Sequence, residues 1–286
     1  MKRITIKLMI DLHTHTTASD GTYTPTELIN YAAEKGITAI AVTDHDTIDG
    51  LAEAMAAAEN KNIEVIPGIE FSTEYQGKDI HIVGLAIDYE NPFFVQKLTQ
   101  FIDSREIRNE KMCQRLRESG MDITMEELHA EFPDAVITRA HFALLMRQKG
   151  YISSQETAFQ KYIGDNCPCY VPREKVNPIQ AIRLIREAGG IPVLAHPILY
   201  KLPTDKLEEL IACLSAHGLM GIEAIYSTYN RADEALIRRL AKQYQLAISG
   251  GSDFHGANKP YIDLGVGRGN LHVPDEVWKN LKQRSA

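Results

Sequence analysis

Apolar and polar positions alternate along this chain in blocks. Apolar, β-branched runs recur at 4–12, 37–43, 63–69, 80–86, 191–195, 220–226 and 246–249, and each ends in polar residues. Seven strands are predicted. Between them, apolar residues spaced three and four apart predict helices with clear start and stop signals. Thr24 is placed as an N-cap, with Pro25 in the first turn, Glu27 as capping-box partner and Gly36 beyond the end. Similarly, Asn177 and Pro178 open a helix that closes at Gly189 and Gly190. Strand and helix alternate, and the strand runs read as buried on both faces. That combination predicts a parallel sheet with crossover helices.

The alternation fails once. From about 91 to 177 no strand is predicted, and "KLTQFIDSREIRNEKMCQRLRESG" and "TRAHFALLMRQKG" read as helices. This segment is expected to be a helical insertion, 91–177, between the fourth and fifth strands. The barrel-like part would then be discontinuous, built from 1–90 and 178–286. No internal repeat and no low-complexity segment interrupts it.

Polar residues capable of chemistry fall where the strands end. His13, His15 and Asp20 follow the first strand, Asp44, His45 and Asp46 the second in "TDHD", and Glu70 the third. His81 sits within the fourth strand, His196 closes the fifth in "LAHP", and Asp253 and His255 follow the seventh in "GGSDFHG". In β/α barrels, strand ends and the loops after them build the active site. Any one of these residues taken singly reads as a turn former or helix cap. So many at one rim read differently, because crowding imidazoles and carboxylates without a counter-charge is costly, whereas divalent metals make it favourable. In an extended "HTH", His13 and His15 share one face with Thr14 opposite, so both can reach one ion. Such a donor set suits manganese, zinc or iron, and Glu70 can bridge two ions. Two or more metals imply hydrolysis by a bridging hydroxide.

Composition narrows the setting. At 286 residues, 44% hydrophobic and 24% charged, the chain has the profile of a soluble globular enzyme with one sizeable core or two small ones. A net charge of −7 argues against gripping nucleic acid by bulk electrostatics, so any phosphate site must be built locally and no stable DNA complex is expected. No apolar run approaches the roughly 18 residues of a membrane span. "MKRITIKLMI" is too short and too β-branched for a signal-peptide core, so a cytoplasmic location is expected. Cys113, Cys167, Cys169 and Cys213 are expected to be free thiols, since "CPC" is neither a zinc knuckle nor a redox CxxC.

Through "HTHTTASDG", "TDHD", "PGIE", "HIVG", "AHP" and "SDFH" the chain resembles the PHP family, the polymerase and histidinol phosphatase domains, a branch of metal-dependent phosphoesterases. The resemblance implies a distorted (β/α)7 barrel, in agreement with the seven predicted strands. It implies that His13, His15, Glu70 and Asp253 hold one metal, that Glu70, His81 and His196 hold a second, and that Asp20, His45 and His255 hold a third. No ligand position is substituted here, so a catalytically dead copy is not expected. The chain resembles most the stand-alone branch whose barrel carries a helical insertion. That branch includes a phosphatase removing the 3′-phosphate of nucleoside 3′,5′-bisphosphates and enzymes acting as 5′→3′ exonucleases on short RNA. "ITRAHFALLMRQKGY" and "FQKYIGDNCPCYVPREKV" extend the resemblance into the insertion.

The insertion adds cations, and the resemblance implies that it covers the active site. Arg105, Arg108, Lys111 and Arg115 are spaced along one helix face, either as a phosphate grip or as a solvated face balanced by Glu106, Glu110 and Glu118. "TRAH" places Arg139 and His141 at a helix start, where free N–H groups favour an anion. The resemblance favours a clamp for the substrate's non-reacting phosphate built from Arg108, Arg139 and His141. Tyr226 and Tyr229 are expected to pack at the rim rather than stack on a base. His129 and His217 are expected at the surface, and Asp44 and Asp46 flank His45 and could orient it. Glu223 lies inside the sixth strand with no role assigned.

The expected chemistry is metal-assisted hydrolysis of a phosphomonoester. A metal-bound hydroxide, with Asp253 and His255 nearby, attacks phosphorus in line while two to three divalent ions spread the developing charge. The expected partner is a nucleotide or short oligonucleotide substrate, and no membrane. Three alternatives stand beside it. One is a phosphatase for histidinol phosphate or another small phosphomonoester, or a nuclease with an open channel. Another is a C–N hydrolase of the amidohydrolase type, opposed by the missing lysine bridge and by Glu70. The last is a non-catalytic accessory module of a polymerase, opposed by the intact ligand set and the lack of a polymerase-sized partner in this chain.

Overall fold

The structure, a computed structural model, describes residues 9–172 and 177–285. Seven strands pair in sequence order: β1 (Met9–Asp11), β2 (Ile37–Val42), β3 (Glu64–Tyr75), β4 (Lys78–Leu85), β5 (Ile191–Leu194), β6 (Gly221–Tyr226) and β7 (Ala247–Gly251). Residues 4–8 of the predicted first strand lie outside the described residues. Just past the ends of β1 and β7 the barrel closes, through a parallel bridge between Thr14 and Phe254 and a hydrogen bond of 2.9 Å from Asp253 N–H to His13 O.

One expectation is corrected. The sheet is not all parallel: β3–β4 and β4–β5 are antiparallel, while the other pairs are parallel. Parallel neighbours need a crossover of roughly a dozen residues or more. Between β3 and β4 the chain has only Gln76 and Gly77, both at positive φ (51° and 78°), which makes a hairpin turn. Strand β3 also runs on through Tyr75, so Glu70 lies within it, opposite Val83, rather than after it. Because β4 descends from the rim, His81 near its start reaches the same end of the barrel as the carboxyl ends of the parallel strands.

Helices α1 (Pro25–Glu34), α2 (Leu51–Ala57), α7 (Pro178–Glu187), α8 (Thr204–Ala216) and α9 (Arg231–Gln243) surround the strands. The predicted caps form. Thr24 and Glu27 exchange hydrogen bonds of 3.2 and 2.9 Å, and Asn177 and Gln180 exchange bonds of 2.9 and 3.0 Å. Strand alternation sorts the core into two sides. Ile40 and Val42 join the cluster beneath the helices, whereas Ala39, Ala41, Leu12, Val83 and Val193 fill the barrel. Trp278 and Leu281 of α10 (Asp275–Ser285) plug the barrel's lower end, where Trp278 Nε1 donates to Glu64, the first residue of β3.

Between β4 and β5 lie α3 (Pro92–Glu118), α4 (Met125–Glu131), α5 (Arg139–Gln148), α6 (Gln155–Ala158) and a π-helical turn at Phe159–Ile163. They enclose a third apolar cluster that includes Met112, Leu116, Leu128, Phe142 and Met146. Helix α3 spans two cores: Phe94, Leu98 and Phe101 pack on the barrel's cluster, and Met112, Cys113 and Leu116 on the insertion's own. Among the described residues no helix is long and apolar enough to cross a membrane.

Candidate active site

The chain after β1 stays extended because Thr14 and Thr43 tie it to β2, with Thr43 N–H donating to Thr14 O at 2.9 Å. Alternation then turns His13 and His15 inward, their ring centroids 5.2 Å apart. The other donors arrive from separate strand ends. His15 lies 4.6 Å from His45 and 4.1 Å from His255 between ring centroids, and His81 lies 5.1 Å from His196.

Glu70 is the hub. Its Oε2 is 3.3 Å from both His13 Nε2 and His15 Nε2 and 3.2 Å from His45 Nδ1. Its Oε1 is 2.9 Å from His81 Nδ1 and 3.1 Å from His196 Nε2. Asp253 Oδ1 approaches His15 Nε2 at 3.3 Å, and Asp20 Oδ1 approaches His255 Nε2 at 3.1 Å. All nine residues expected as metal ligands therefore come together. Their donor atoms form four overlapping groups: His15, Asp20, His45 and His255; His13, Glu70 and His196; His13, His15 and Asp253; His45, Glu70 and His81. His15 thus reaches the Asp20 side as well as the Asp253 side, which differs from the expected partition.

The rim's electrostatics follow from this crowding. Burial would raise the carboxyls, yet the surrounding imidazoles, together with Lys259 beside Asp253, hold Glu70, Asp20 and Asp253 well below the usual carboxylate range. Burial pulls the imidazoles down, bringing His45 to about 3 and lowering His255. It is outweighed at three of them: Glu70, Glu223 and Asp253 hold His13 well above its usual value, Asp253 and Glu70 bring His15 to about 9, and Glu70 with Asp79 brings His81 to about 10. His13 Nε2, both ring nitrogens of His15, Asp20 Oδ1 and His196 Nδ1 are buried without a hydrogen-bond partner. Buried polar atoms are normally paired. Orphaned imidazole nitrogens facing ionised carboxylates fit divalent cations in both charge and ligand type.

Three rim residues hold positive φ, Asp46 at 54°, His196 at 28° and Asp253 at 57°. Such conformations cost roughly 1–3 kcal/mol each and persist where the surroundings enforce them. The side chain of Asp44 does not contact His45, and Asp46 reaches that ring through Ser72, whose N–H donates to Asp46 Oδ1 at 3.1 Å. Asp44 instead fixes the loop after β1, accepting from Thr16 N–H at 2.7 Å and Ser19 Oγ at 2.6 Å. Asp46 pairs with Arg105, and Ser72 Oγ is the group next to His45 Nδ1, at 3.3 Å.

A cleft of about 430 Å³ opens over the rim, lined by Asp20, His45, His81 and His255 on one side and by Arg108, Arg139 and Phe159 from the insertion on another. A larger groove of about 840 Å³ runs between α3 and α7, but none of the nine donors borders it. The PHP domain family model matches residues 11–165, over half of the chain, taking in six of the nine donors. The chain belongs to the PHP family.

Its similarity to named relatives runs nearly end to end. It is 37% identical over 271 residues to a 5′-3′ exoribonuclease of Haemophilus influenzae, covering 93% of this chain and 96% of the relative. It is 33% identical over 283 residues to a 3′,5′-nucleoside bisphosphate phosphatase of Chromobacterium violaceum, covering 96% and 97%. A solved structure from Bifidobacterium adolescentis, assigned as a metal-dependent phosphoesterase, superposes with a TM-score of 0.84 at 26% identity over 98% of this chain and 97% of that one. This PHP protein is a metal-dependent phosphoric ester hydrolase.

The expected clamp residues of the PHP protein separate. Arg139 lines the cleft, paired with Asp79 and Asp165 and stacked near Phe159 and Tyr170, its guanidinium carbon 5.8 and 5.5 Å from their ring centroids. Arg108 also lines it. His141 does not. It is 2% exposed, its Nδ1 accepts from Thr138 N–H at 3.1 Å in the α5 capping box, and its ring stacks on Phe132 at 4.3 Å. It approaches the rim through Thr138, whose Oγ1 donates to Asp20 Oδ2 at 3.0 Å.

The four-cation stripe also divides. From Arg105 to Lys111 it winds through about 120° of helix, given 3.6 residues per turn. Arg105 and Arg108 consequently fall on the buried arc of α3, while Lys111 and Arg115 are exposed. Tyr226 and Tyr229 are 5% and 8% exposed and pack in the core, and His129 and His217 are at the surface.

Several cleft residues escaped the sequence reading. Asp79, two before His81 on the same face of β4, could have been found by strand periodicity. Lys259, whose Nζ donates to Asp253 Oδ2 at 2.6 Å, and the cleft-lining aromatics Phe159 and Tyr261, 37% and 62% exposed, carry no local signal.

Proposed function

We propose that this PHP protein hydrolyses a phosphomonoester of a nucleotide that carries a second phosphate, best matched by the 3′-phosphate of a nucleoside 3′,5′-bisphosphate, with short 5′-phosphorylated RNA as a further substrate. The observation that carries this reading is the shared cleft. Four of the nine expected metal ligands, Asp20, His45, His81 and His255, line it, and Arg108, Arg139 and two exposed aromatic rings line it as well. The names of the H. influenzae and C. violaceum relatives support both substrates.

Two to three ions of manganese, zinc or iron, held by His13, His15, Asp20, His45, Glu70, His81, His196, Asp253 and His255, would supply an activated water and neutralise the phosphoryl oxygens. The chain's own residues do the rest. Glu70, central to the donor groups, sets the spacing between them. Arg139, braced by Asp79 and Asp165, and Arg108 present N–H groups to the phosphate that is not cleaved, and a braced guanidinium loses little side-chain freedom on binding. Phe159 and Tyr261 offer faces for a base, which stacks without regard to sequence. Domain organisation follows the same division: the barrel, 1–90 and 178–286, holds the metals, and the insertion, 91–177, covers the site and recognises the substrate.

Phosphate release from nucleoside 3′,5′-bisphosphate, histidinol phosphate and glycerol phosphate, and nucleoside monophosphate release from short 5′-phosphorylated RNA, by metal-reconstituted protein beside His13→Ala, tests the proposal. The bisphosphate is expected to give the highest kcat/KM and His13→Ala to be inactive. Equal activity of the two proteins would remove the site assignment, and release confined to non-nucleotide substrates would remove the role of the insertion.

A further inference from the structure

Strand alternation along β6 turns Ile222, Ala224 and Tyr226 outward, into the cluster beneath the helices, and Glu223 inward. Glu223 is 2% exposed, in a barrel otherwise filled by residues such as Leu12, Val193 and Ile225. A buried carboxylate is costly unless it is used. Both of its oxygens are used. Oε1 lies 3.2 Å from His13 Nδ1, and Oε2 accepts the backbone N–H of His196 at 2.8 Å.

We propose that Glu223 is a positioning residue that fixes two metal ligands from opposite sides of the barrel, an inference that rests on the metal reading above. With Nδ1–H of His13 donated to Glu223, the ring's Nε2 carries the lone pair. That atom is buried without a hydrogen bond, 3.3 Å from Glu70 Oε2 and 3.7 Å from Asp253 Oδ1. Two carboxylates facing Nε2 call for positive charge at that atom, a proton or a bound cation, and with Nδ1–H held by Glu223 the tautomer left when a cation replaces that proton is the one a metal needs. At His196 the same carboxylate holds the backbone N–H of a residue at φ 28° and ψ 52°, a conformation rare for an L side chain, and thereby aims His196 Nε2 at Glu70 Oε1, 3.1 Å away. One side chain therefore sets the ligand geometry on the His13, Glu70 and His196 side, and among the described residues it makes no hydrogen bond to Asp20, His45 or His255.

Glu223→Gln keeps the shape but offers one acceptor and one donor, so one of its two contacts becomes donor against donor. Manganese titration of the full chain, counting equivalents and affinities, is the test. For Glu223→Gln the expected result is a roughly ten- to hundredfold weaker affinity for the ions bound through His13 and His196, with the Asp20-side ion unchanged. Asp20→Asn is expected to show the reverse. Equal weakening at every ion, or none, would overturn the inference while leaving the metal reading intact, whereas a wild-type chain that binds no manganese would remove both. A second measurement needs no variant. In the zinc-loaded wild-type chain, ring-nitrogen NMR is expected to show His13 protonated at Nδ1 and metal-bound at Nε2, and the opposite assignment would overturn the inference even if Glu223→Gln failed to fold.

Discussion

His141 offers the sharpest test of how the insertion is built. Burial pushes its pKa down from an ordinary 6.5 to about 4, with Arg105 adding repulsion, so the folded chain keeps this imidazole neutral where the unfolded chain protonates it. Between pH 6.5 and 4 the unfolded state therefore binds more protons, and stability falls as pH is lowered through that window. At 1.36 kcal/mol per pH unit, the loss from this residue reaches roughly 3 kcal/mol by pH 4. His141→Gln removes the titration and keeps an acceptor at N3 of the capping box. Urea denaturation of the chelated wild type and variant at several pH values isolates His141, because the rim titrates alike in both. The gap between them is expected to move in the variant's favour as pH drops from 6.5 to 4, with kcat/KM for the bisphosphate at neutral pH within about threefold of wild type. A pH-independent gap would refute the buried, neutral assignment. A large loss of kcat/KM without that trend would return His141 to the phosphate clamp.

Arg139→Ala is expected to lower kcat/KM for a nucleoside 3′,5′-bisphosphate roughly ten- to a hundredfold, the size of one charge-assisted hydrogen bond. Glycerol phosphate, with no second phosphate, should change little, and an equal loss for both would mean that Arg139 acts instead through Asp79 and His81. At Gly251 an added Cβ would lie 2.5 Å from His13 Cβ and 2.6 Å from His13 N. Gly251→Ala is thus expected to cost about 1–3 kcal/mol in denaturant unfolding and to reduce manganese uptake, and a variant that kept both would show His13 free to shift.

The clustering of the nine His, Asp and Glu residues was legible because each stands beside a strong local signal. His13 and His15 follow an apolar run, His196 closes another, and strand periodicity fixes which way they face. The direction of β4 was missed although the spacing held the clue, since Gln76 and Gly77 leave no room for a crossover. The stripe on α3 was over-read because spacings of three and four drift around a helix, which carries Lys111 and Arg115 off the face that buries Arg105. Glu223 could be seen but not assigned, and Lys259 was missed. Glu223 meets a partner 210 residues away, and no pattern in the chain states that contact before the barrel closes.

Helix α3 shows why the insertion belongs to the site. Its buried face is apolar at both ends and changes to Arg105, Arg108 and Asn109 between them. Apolar residues there would pack at least as well, since a buried ion pair is weak evidence for stability. What the polar stretch provides is register. Arg105 pairs with Asp46 and donates to Ser72 Oγ at 2.8 Å, Asp46 Oδ1 accepts from Ser72 N–H at 3.1 Å, and Ser72 Oγ meets His45 Nδ1 at 3.3 Å. Asn109 Nδ2 donates to Ile137 O at 2.9 Å, just before the Thr138 that holds Asp20. Two hydrogen-bonded paths therefore run from one helix of the insertion to two donors, His45 and Asp20, that share a single metal group. A one-residue slip of α3 would break both paths at once, so the placement of Arg108 over the cleft and the geometry of that group are fixed by the same contacts.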